Sequence, residues 1–268
     1  MKHSTFDCYG ANEHQLDDMK LINQIMTELA YELDLDPICP PSIIPYYYGK
    51  VKEDIGISAF VLLEGGHITI HTFPMRECYF LDCFTTGDFD ENIIKEYLLE
   101  KLPYSEKKSF NETSMRNPVI AEKEYDPAND FGPHVMAEIL MANKIDMEFM
   151  FDWLEKTSYD INMDPITRPC ILKSSIRNPK YLSGIIIIAQ SHISLHYEYS
   201  TNTLYMDIFS CMPFDYSVVS EVLNELGLVK ANELIARGTK HIYRVKSSVA
   251  KNELLANTKW QKIVQGKE

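Results

Sequence analysis

One stretch of this 268-residue sequence occurs twice. Residues 58–90 read SAFVLLEGGHITIHTFPMRECYFLDCFTTGDFD, and residues 183–215 read SGIIIIAQSHISLHYEYSTNTLYMDIFSCMPFD. The two stretches align without a gap when residue 183 is placed on residue 58. Such a repeat indicates a duplicated structural unit. The alignment therefore decides the expected fold.

Polar residues are prominent among the matches within the repeat. The identical pairs are Ser58/Ser183, His67/His192, Ile68/Ile193, His71/His196, Asp82/Asp207, Phe84/Phe209, Phe89/Phe214 and Asp90/Asp215. Two unrelated apolar strands in chance register would share mainly aliphatic residues, so this pattern indicates duplication. We expect a first unit over residues 1–115, a linker with an edge strand over residues 116–131, and a second unit over residues 132–268.

The composition narrows the range of partners. The chain carries 39 acidic and 26 basic residues, for a formal net charge of −13. Nucleic acids and anionic membranes bind basic patches, so we expect neither as a partner. No apolar run approaches the ~18 residues of a membrane span, and residues 1–9 show no secretory signal. These features predict a cytoplasmic location.

Hydrophobic periodicity predicts the layers of each unit. Residues 60–63 and 185–188 are short, continuous apolar runs, as expected of strands buried on both faces. After the first run, His67, Thr69 and His71 alternate with isoleucines, which puts the polar side chains on one face of a strand. We therefore expect an α+β fold: two repeated units, each an antiparallel sheet with helices on one face, packed as an α/β/β/α sandwich.

One helix is predicted before each copy of the repeat in the sequence, and another after it. In the first unit, a single helical stripe contains Leu16, Met19, Ile22, Met26, Leu29 and Leu33. In the second unit, Asp146 is positioned as the N-cap of the corresponding helix. Asp90 and Asp215 open the helix that follows each copy of the repeat.

Histidines two or four residues apart on a strand are possible metal ligands. The sequence pairs His67 with His71 and His192 with His196, but no matching carboxylate or cysteine cluster accompanies them. The six cysteines form no Cys-x-x-Cys pair, so we also expect no zinc site and no disulfide framework. We therefore predict no metal site. The alternative to metal binding is that these histidines are hydrogen-bonded groups between the two sheets.

Four short motifs follow one another in a characteristic order. Residues 56–58 read GIS, residues 65–74 read GGHITIHTFP, residues 190–196 read QSHISLH, and residues 207–211 read DIFSC. They resemble the signature of the bacterial and archaeal S-adenosylmethionine decarboxylases. That signature is Gly-Val-Ser, then Glu-Ser-His-x-x-Ile-His-Thr-Trp-Pro-Glu, then Asp-x-Phe-Thr-Cys-Gly.

The resemblance implies a pyruvoyl-dependent decarboxylase of polyamine biosynthesis with a small-molecule substrate. In that family a serine hydroxyl attacks the carbonyl of the preceding residue, the resulting ester eliminates, and a pyruvoyl group remains on the new amino terminus. Carried over to this sequence, cleavage falls between Gln190 and Ser191, and Ser191 is the source of the pyruvate cofactor. Cys211 corresponds to the family's cysteine, which reprotonates the substrate after carbon dioxide leaves.

The family's sites lie between two protomers or two repeats, which implies one complete site in this chain. One side provides the precursor serine and the cysteine, here Ser191 and Cys211. The other side provides the serine of the Gly-Val-Ser motif and the second histidine, here Ser58 and His71.

The opposite site is expected to be degenerate. There Gly66 and Thr86 replace the precursor serine and the cysteine, and they face Ser183 and His196. Because glycine has no hydroxyl group, no pyruvoyl group can arise at Gly66.

The resemblance leaves the substrate open. Met75 stands where the family has a glutamate that holds the ribose hydroxyls. Glu77, from a shifted loop, and Tyr48, by stacking on an adenine, are weaker candidates for substrate contacts. The alternatives are a pyruvoyl decarboxylase of arginine or ornithine, and an uncleaved regulatory paralogue that pairs with a catalytic homologue. Assembly into a homodimer is also open.

Overall fold

The structure, a computed structural model, describes residues 1–47, 51–115, 121–122 and 125–239. Two sheets face each other, and helices cover their outer faces. This arrangement confirms the α+β sandwich predicted from the repeat. Among the described helices, none combines the length and the apolar character needed to cross a membrane.

The first sheet contains six strands. They are β1 (Lys2–Tyr9), β2 (Ser42–Tyr46), β3 (Gly56–Leu63), β4 (Gly66–Phe73), β5 (Cys78–Thr85) and β6 (Phe110–Ser114). Their order across the sheet is β2-β3-β4-β5-β1-β6, and all neighbours are antiparallel. The helices of this unit are α1 (Glu13–Leu16), α2 (Met19–Glu32) and α3 (Glu91–Lys101), with short 3-10 turns at Lys52–Asp54 and Pro74–Arg76.

The second sheet repeats this plan. Its strands are β7 (Ala121–Glu122), β8 (Asp130–Met141), β9 (Cys170–Lys173), β10 (Tyr181–Ile188), β11 (Ser191–Glu198), β12 (Thr203–Phe209) and β13 (Gly227–Thr239). Their order is β7-β13-β8-β12-β11-β10-β9, and among the described strands only the short pairing of β7 with β13 is parallel. Its helices are α4 (Met147–Asp160) and α5 (Tyr216–Leu226).

The segment between the two units contributes to the second sheet. The predicted linker, residues 116–131, contains β7 at the sheet edge and the first residues of β8. We retain the division into residues 1–115 and 132–268 as a proposal.

Aspartates begin the helices as the sequence predicts, with one difference in the first unit. The side chain of Asp146 accepts a hydrogen bond from the Phe149 amide at the start of α4. The predicted single stripe from residue 16 to residue 33 is instead divided between α1 and α2, because Asp18 caps a new helix. Met19, which was expected in the stripe, is consequently exposed.

The two faces of each sheet differ in polarity. On β4, Ile68 and Ile70 pack into the core under the helices of the first unit, and on β11, Ile193 and Leu195 do the same in the second. Burying each such side chain contributes on the order of 1.5–3 kcal/mol. The alternating polar residues therefore point between the sheets, where they are shielded from solvent by both units.

Candidate active site

Six histidines of the described part of the chain lie in the space between the two sheets, and all six are fully buried. They are His3, His67, His71, His134, His192 and His196. The period-two alternation of the strands places them there, three from each unit. Buried polar groups need hydrogen-bond partners, so this layer is where the two units recognise each other.

The predicted cleavage point lies at the tip of the hairpin between β10 and β11. Ser191 is the first residue of β11 and pairs with Ile188, which leaves a two-residue loop that ends at Gln190. Gln190 has φ of 62°, in the left-handed region that favours glycine. A non-glycine residue in this conformation costs on the order of 1–2 kcal/mol, and the cost falls next to the predicted scissile bond.

Cys211 lies against this hairpin. Its backbone amide donates to Ser191 Oγ at 2.8 Å, and its thiol donates to the Ala189 carbonyl oxygen at 3.3 Å. Burial raises the pKa of Cys211 to about 12, and the nearby carboxylate of Asp54 adds to the increase. The thiol therefore keeps its proton at neutral pH.

The first unit reaches the same hairpin from the facing sheet. Ser58 and His71 are cross-strand neighbours on β3 and β4, and Ser58 Oγ lies 2.8 Å from His71 Nδ1. Ser58 Oγ also donates to Gln190 Oε1 at 2.8 Å. The structure thus brings Ser58, His71, Gln190, Ser191 and Cys211 together.

A cavity of about 500 Å³ opens beside this cluster. Its lining includes Tyr46, Val51 and Asp54 from the first unit, and Met163, Asp164, Ala189 and Cys211 from the second. This volume is typical of a small-molecule site.

Asp54 lies in the lining of this cavity, although no sequence motif indicated it. Asp54 accepts hydrogen bonds from Arg76 Nε at 2.7 Å and Arg76 Nη2 at 2.6 Å. Burial raises the pKa of Asp54, while the guanidinium of Arg76 opposes that increase. No spacing rule could have identified it, because its position in the cavity depends on packing between the units.

The two weaker substrate candidates have different outcomes. Tyr48 lies outside the described residues. Glu77 is exposed at the turn before β5 and is not among the residues that line the cavity. Its backbone carbonyl accepts hydrogen bonds from the amides of Gly10 and Ala11.

The degenerate site at Gly66 and Thr86, called the mirror site below, has different surroundings. A Cβ atom added at Gly66 would lie far inside van der Waals contact of the Phe84 carbonyl oxygen. Thr86 donates from its hydroxyl to Tyr181 Oη at 2.9 Å, and the Tyr181 ring lies beside Gly65. At the offset of the repeat Tyr181 aligns with a glycine, residue 56, so the aromatic ring is particular to this side.

The other two mirror residues keep the pairing seen in the first site. Ser183 Oγ lies 2.9 Å from His196 Nδ1. His196 Nε2 lies 2.8 Å from His67 Nδ1. The serine–histidine pair is therefore present on both sides, and the two sides differ at the hairpin and at the position of the cysteine.

Carboxylates also enter the layer of histidines, which the sequence analysis did not anticipate. Donor atoms of His3, His67 and Asp207 lie within 4.8 Å of one another, as do those of His3, Asp82 and His134. The identical pair Asp82/Asp207 within the repeat was the available signal.

A buried arginine shares this layer. Arg237 donates to Asp7, to Asp82 at 2.6 Å and to His134 Nδ1 at 2.9 Å. His134 Nδ1 accepts this bond because a guanidinium can only donate. A guanidinium positive charge thus already balances Asp82 in the group formed by His3, Asp82 and His134.

Comparison with known proteins agrees with the repeat. A sequence model of the family described as S-adenosylmethionine decarboxylase matches residues 2–113 and again residues 133–232. The chain therefore belongs to the S-adenosylmethionine decarboxylase family, and both of its units carry the family's sequence pattern.

Individual relatives each match a stretch of this chain that is about as long as one unit. The S-adenosylmethionine decarboxylase proenzyme of Clostridium botulinum strain Langeland is 32% identical over 101 residues, which cover 37% of this chain and 81% of the relative. S-adenosylmethionine decarboxylase proenzyme 2 of Halalkalibacterium halodurans is 26% identical over 102 residues, 38% of this chain and 75% of the relative. The crystal structure of the adenosylmethionine decarboxylase from Aquifex aeolicus VF5 is similar, with 23% identity, a TM-score of 0.36, and coverage of 47% of this chain and 95% of that one.

Proposed function

We propose that this chain is a self-processing, pyruvoyl-dependent decarboxylase with one site built by both units, and that its substrate is S-adenosylmethionine. The observation that supports this most strongly is the hydrogen bond from Ser58 Oγ to Gln190 Oε1, next to Ser191. This bond joins Ser58, the serine that the first unit is predicted to provide to the site, to the predicted cleavage point in the second unit. The name proenzyme, carried by relatives, is consistent with a processed chain.

Self-cleavage would begin with attack of Ser191 Oγ on the carbonyl carbon of Gln190. The amide C–N bond breaks, the hydroxyl proton passes to the nitrogen, and an ester forms. Removal of the Cα proton of Ser191 then expels the Gln190 carboxylate, and one water molecule completes the conversion as ammonia leaves. Burial, together with nearby His192 and Arg237, holds the pKa of His71 well below the usual range, so its ring is neutral and has a lone pair that can accept a proton.

The residues beside the hairpin fit the group that cleavage would create. When bound, a pyruvoyl group supplies a carbonyl that takes up the substrate amine and accepts the electrons released with carbon dioxide. Ser191 contacts Cys211, which lines the cavity, so the new terminus would lie next to the substrate space. With its pKa at about 12, the Cys211 thiol holds a proton to return to the substrate carbon.

The lining of the cavity carries two carboxylates, those of Asp54 and Asp164. Asp54 is already paired with the guanidinium of Arg76, so the exposed carboxylate of Asp164 is the one that would attract a positively charged substrate. S-adenosylmethionine carries a sulfonium and an ammonium group. Arginine and ornithine are also cationic, and Met75 lacks the carboxylate that would hold a ribose.

The test is release of labelled carbon dioxide from S-adenosylmethionine, arginine and ornithine, each labelled in the carboxyl carbon. We expect release from S-adenosylmethionine, and none from a Ser191→Ala chain assayed in parallel. Release from arginine or ornithine instead would assign the site to a basic amino acid. No release from any of the three by a cleaved chain would reject the decarboxylase proposal.

A further inference from the structure

Several imidazole rings surround one carboxylate in the buried layer between the sheets. His192 Nε2 lies 2.9 Å and His134 Nε2 lies 3.3 Å from Asp207 Oδ2, and His67 Nε2 lies 3.8 Å from the same oxygen. One ring nitrogen of His3 and one of His67 lie within 4.8 Å of each other and of a carboxylate oxygen of Asp207. All of these side chains are fully buried. Asp207 therefore lies among nitrogen donors that both units provide.

The spacing of three of these groups suits a divalent metal ion. Zn²⁺ binds imidazole nitrogen and carboxylate oxygen at about 2.0–2.2 Å, so two ligand atoms of a tetrahedral site lie about 3.3–3.5 Å apart. The 3.8 Å between His67 Nε2 and Asp207 Oδ2 is longer than a hydrogen bond but close to that separation. The ring nitrogen of His3 is within 4.8 Å of both, so a small rotation of its ring would supply a third ligand.

The charges in the layer also favour a cation beside Asp207. Arg237 donates to Asp7 and to Asp82, and so offsets the carboxylate charge contributed by the first unit. Within the described part of the chain, Asp207 is paired with histidines and with the Ser194 hydroxyl, and with no lysine or arginine. A buried carboxylate without a permanently charged partner is costly, and a divalent ion would supply that charge.

A second group of possible ligands already contains a cation. Donor atoms of His3, Asp82 and His134 also lie within 4.8 Å of one another. The Arg237 guanidinium donates to Asp82 at 2.6 Å and to His134 Nδ1 at 2.9 Å, so it would repel a metal ion there. The group that contains Asp207 is therefore the one that a metal ion would enter.

The outer partners of His67 suit a metal ligand. A histidine that binds a metal through Nε2 donates from Nδ1, and this second bond fixes the orientation of the ring. His67 Nδ1 lies 2.8 Å from His196 Nε2, and His196 Nδ1 lies 2.9 Å from Ser183 Oγ. With Nδ1 as the donor in both rings, His67 Nε2 carries the lone pair that faces Asp207.

We propose that His3, His67 and Asp207 bind one divalent ion of the kind that imidazole nitrogen prefers, such as Zn²⁺, and that this ion joins the two units. The first unit provides both histidines and the second unit provides the carboxylate. The Ser183–His196 pair of the mirror site orients His67, so the side without a precursor serine has a role of its own. Metal binding here requires neither self-cleavage nor decarboxylation. The prediction of no metal site rested on the lack of a matching carboxylate in the sequence, and the fold brings Asp207 to the histidines.

The test measures the metal content of the chain by inductively coupled plasma mass spectrometry. The protein is expressed in medium supplemented with Zn²⁺ and purified without a metal-affinity column. We expect about one Zn²⁺ per chain. Asp207→Asn and His3→Gln should each hold less than about a fifth of that amount, because two remaining ligands do not complete a site. His14→Gln, a change at an exposed histidine outside the layer, should retain the full content.

A variant outside the ligand set covers the case in which the ligand variants do not fold. In Ser183→Ala the three ligands remain, but the ring of His67 is oriented less firmly. A chelator should therefore remove half of the Zn²⁺ at a concentration about 10-fold lower than for the unchanged chain. Thermal unfolding establishes which variants are folded. Less than about one Zn²⁺ per ten unchanged chains, or equal content in the unchanged chain and a folded ligand variant, would overturn the site.

Discussion

Ser58 of the first unit donates a 2.8 Å hydrogen bond to the side-chain oxygen of Gln190 in the second unit. Ser58 also contacts His71, and its counterpart in the repeat, Ser183, contacts His196 in the same way on the degenerate side. Ser58→Ala should slow self-cleavage by about 10-fold, since a lost buried hydrogen bond costs on the order of 1–3 kcal/mol. The measurement is the time course of intact mass after expression.

Ser183→Ala is the matched control for that change. Both serines are fully buried and both contact a histidine Nδ1 across the hairpin. Cleavage in Ser183→Ala should match the unchanged chain. Equal slowing in the two variants would show that the serines serve packing alone.

Cys211→Ala separates cleavage from turnover. The variant should still self-cleave, because the attack by Ser191 does not use the thiol, while carbon dioxide release per cleaved chain should fall by about 100-fold or more. Thr86→Ala, the equivalent change on the degenerate side, should alter neither step. Full turnover in a cleaved Cys211→Ala chain would remove the cysteine from the mechanism.

The raised pKa of Cys211 predicts an unreactive thiol. Because the thiolate is the nucleophile and the pKa is about 12, the folded protein should resist iodoacetamide at Cys211 at pH 8. Reactivity should rise as the pH approaches 12, provided that the fold persists, and should appear at pH 8 after unfolding in denaturant. Peptide mass spectrometry measures the modified fraction, and rapid labelling of the folded chain at pH 8 would contradict the prediction.

Gly66→Ser should not create a second cleavage point. A side chain at residue 66 meets the Phe84 carbonyl oxygen, so the substitution should destabilise the fold by about 1–3 kcal/mol. Thermal unfolding measures the first effect and intact mass the second. A fragment that begins at residue 66 would show that the mirror site needs only a hydroxyl group.

The fold was predictable because its signals are local and are repeated. Period-two alternation on β4 and β11 fixes which side chains face the partner sheet, and the repeat shows that the same plan occurs twice. The division of the predicted helix into α1 and α2 was not predicted, because an aspartate such as Asp18 is typical both of the polar face of a helix and of an N-cap.

The site was predictable only in part. The pairing of Ser58 with Gln190 follows from the family's shared sites, and alternation alone does not determine it. Asp54, Tyr181 and Arg237 could not be predicted, because each acquires its role by reaching a different part of the chain through packing. The repeat places no arginine opposite Arg237, since Glu112 stands at that offset.

The most direct test of the central claim is the intact mass of the purified chain, with Ser191→Ala as the control. Cleavage between Gln190 and Ser191 divides the 268 residues into fragments of 190 and 78 residues, the smaller one blocked at its amino terminus by a pyruvoyl group. We expect these two species from the unchanged chain, and a single species at 31.0 kDa from Ser191→Ala. A single species at 31.0 kDa from both chains would contradict self-processing at this site.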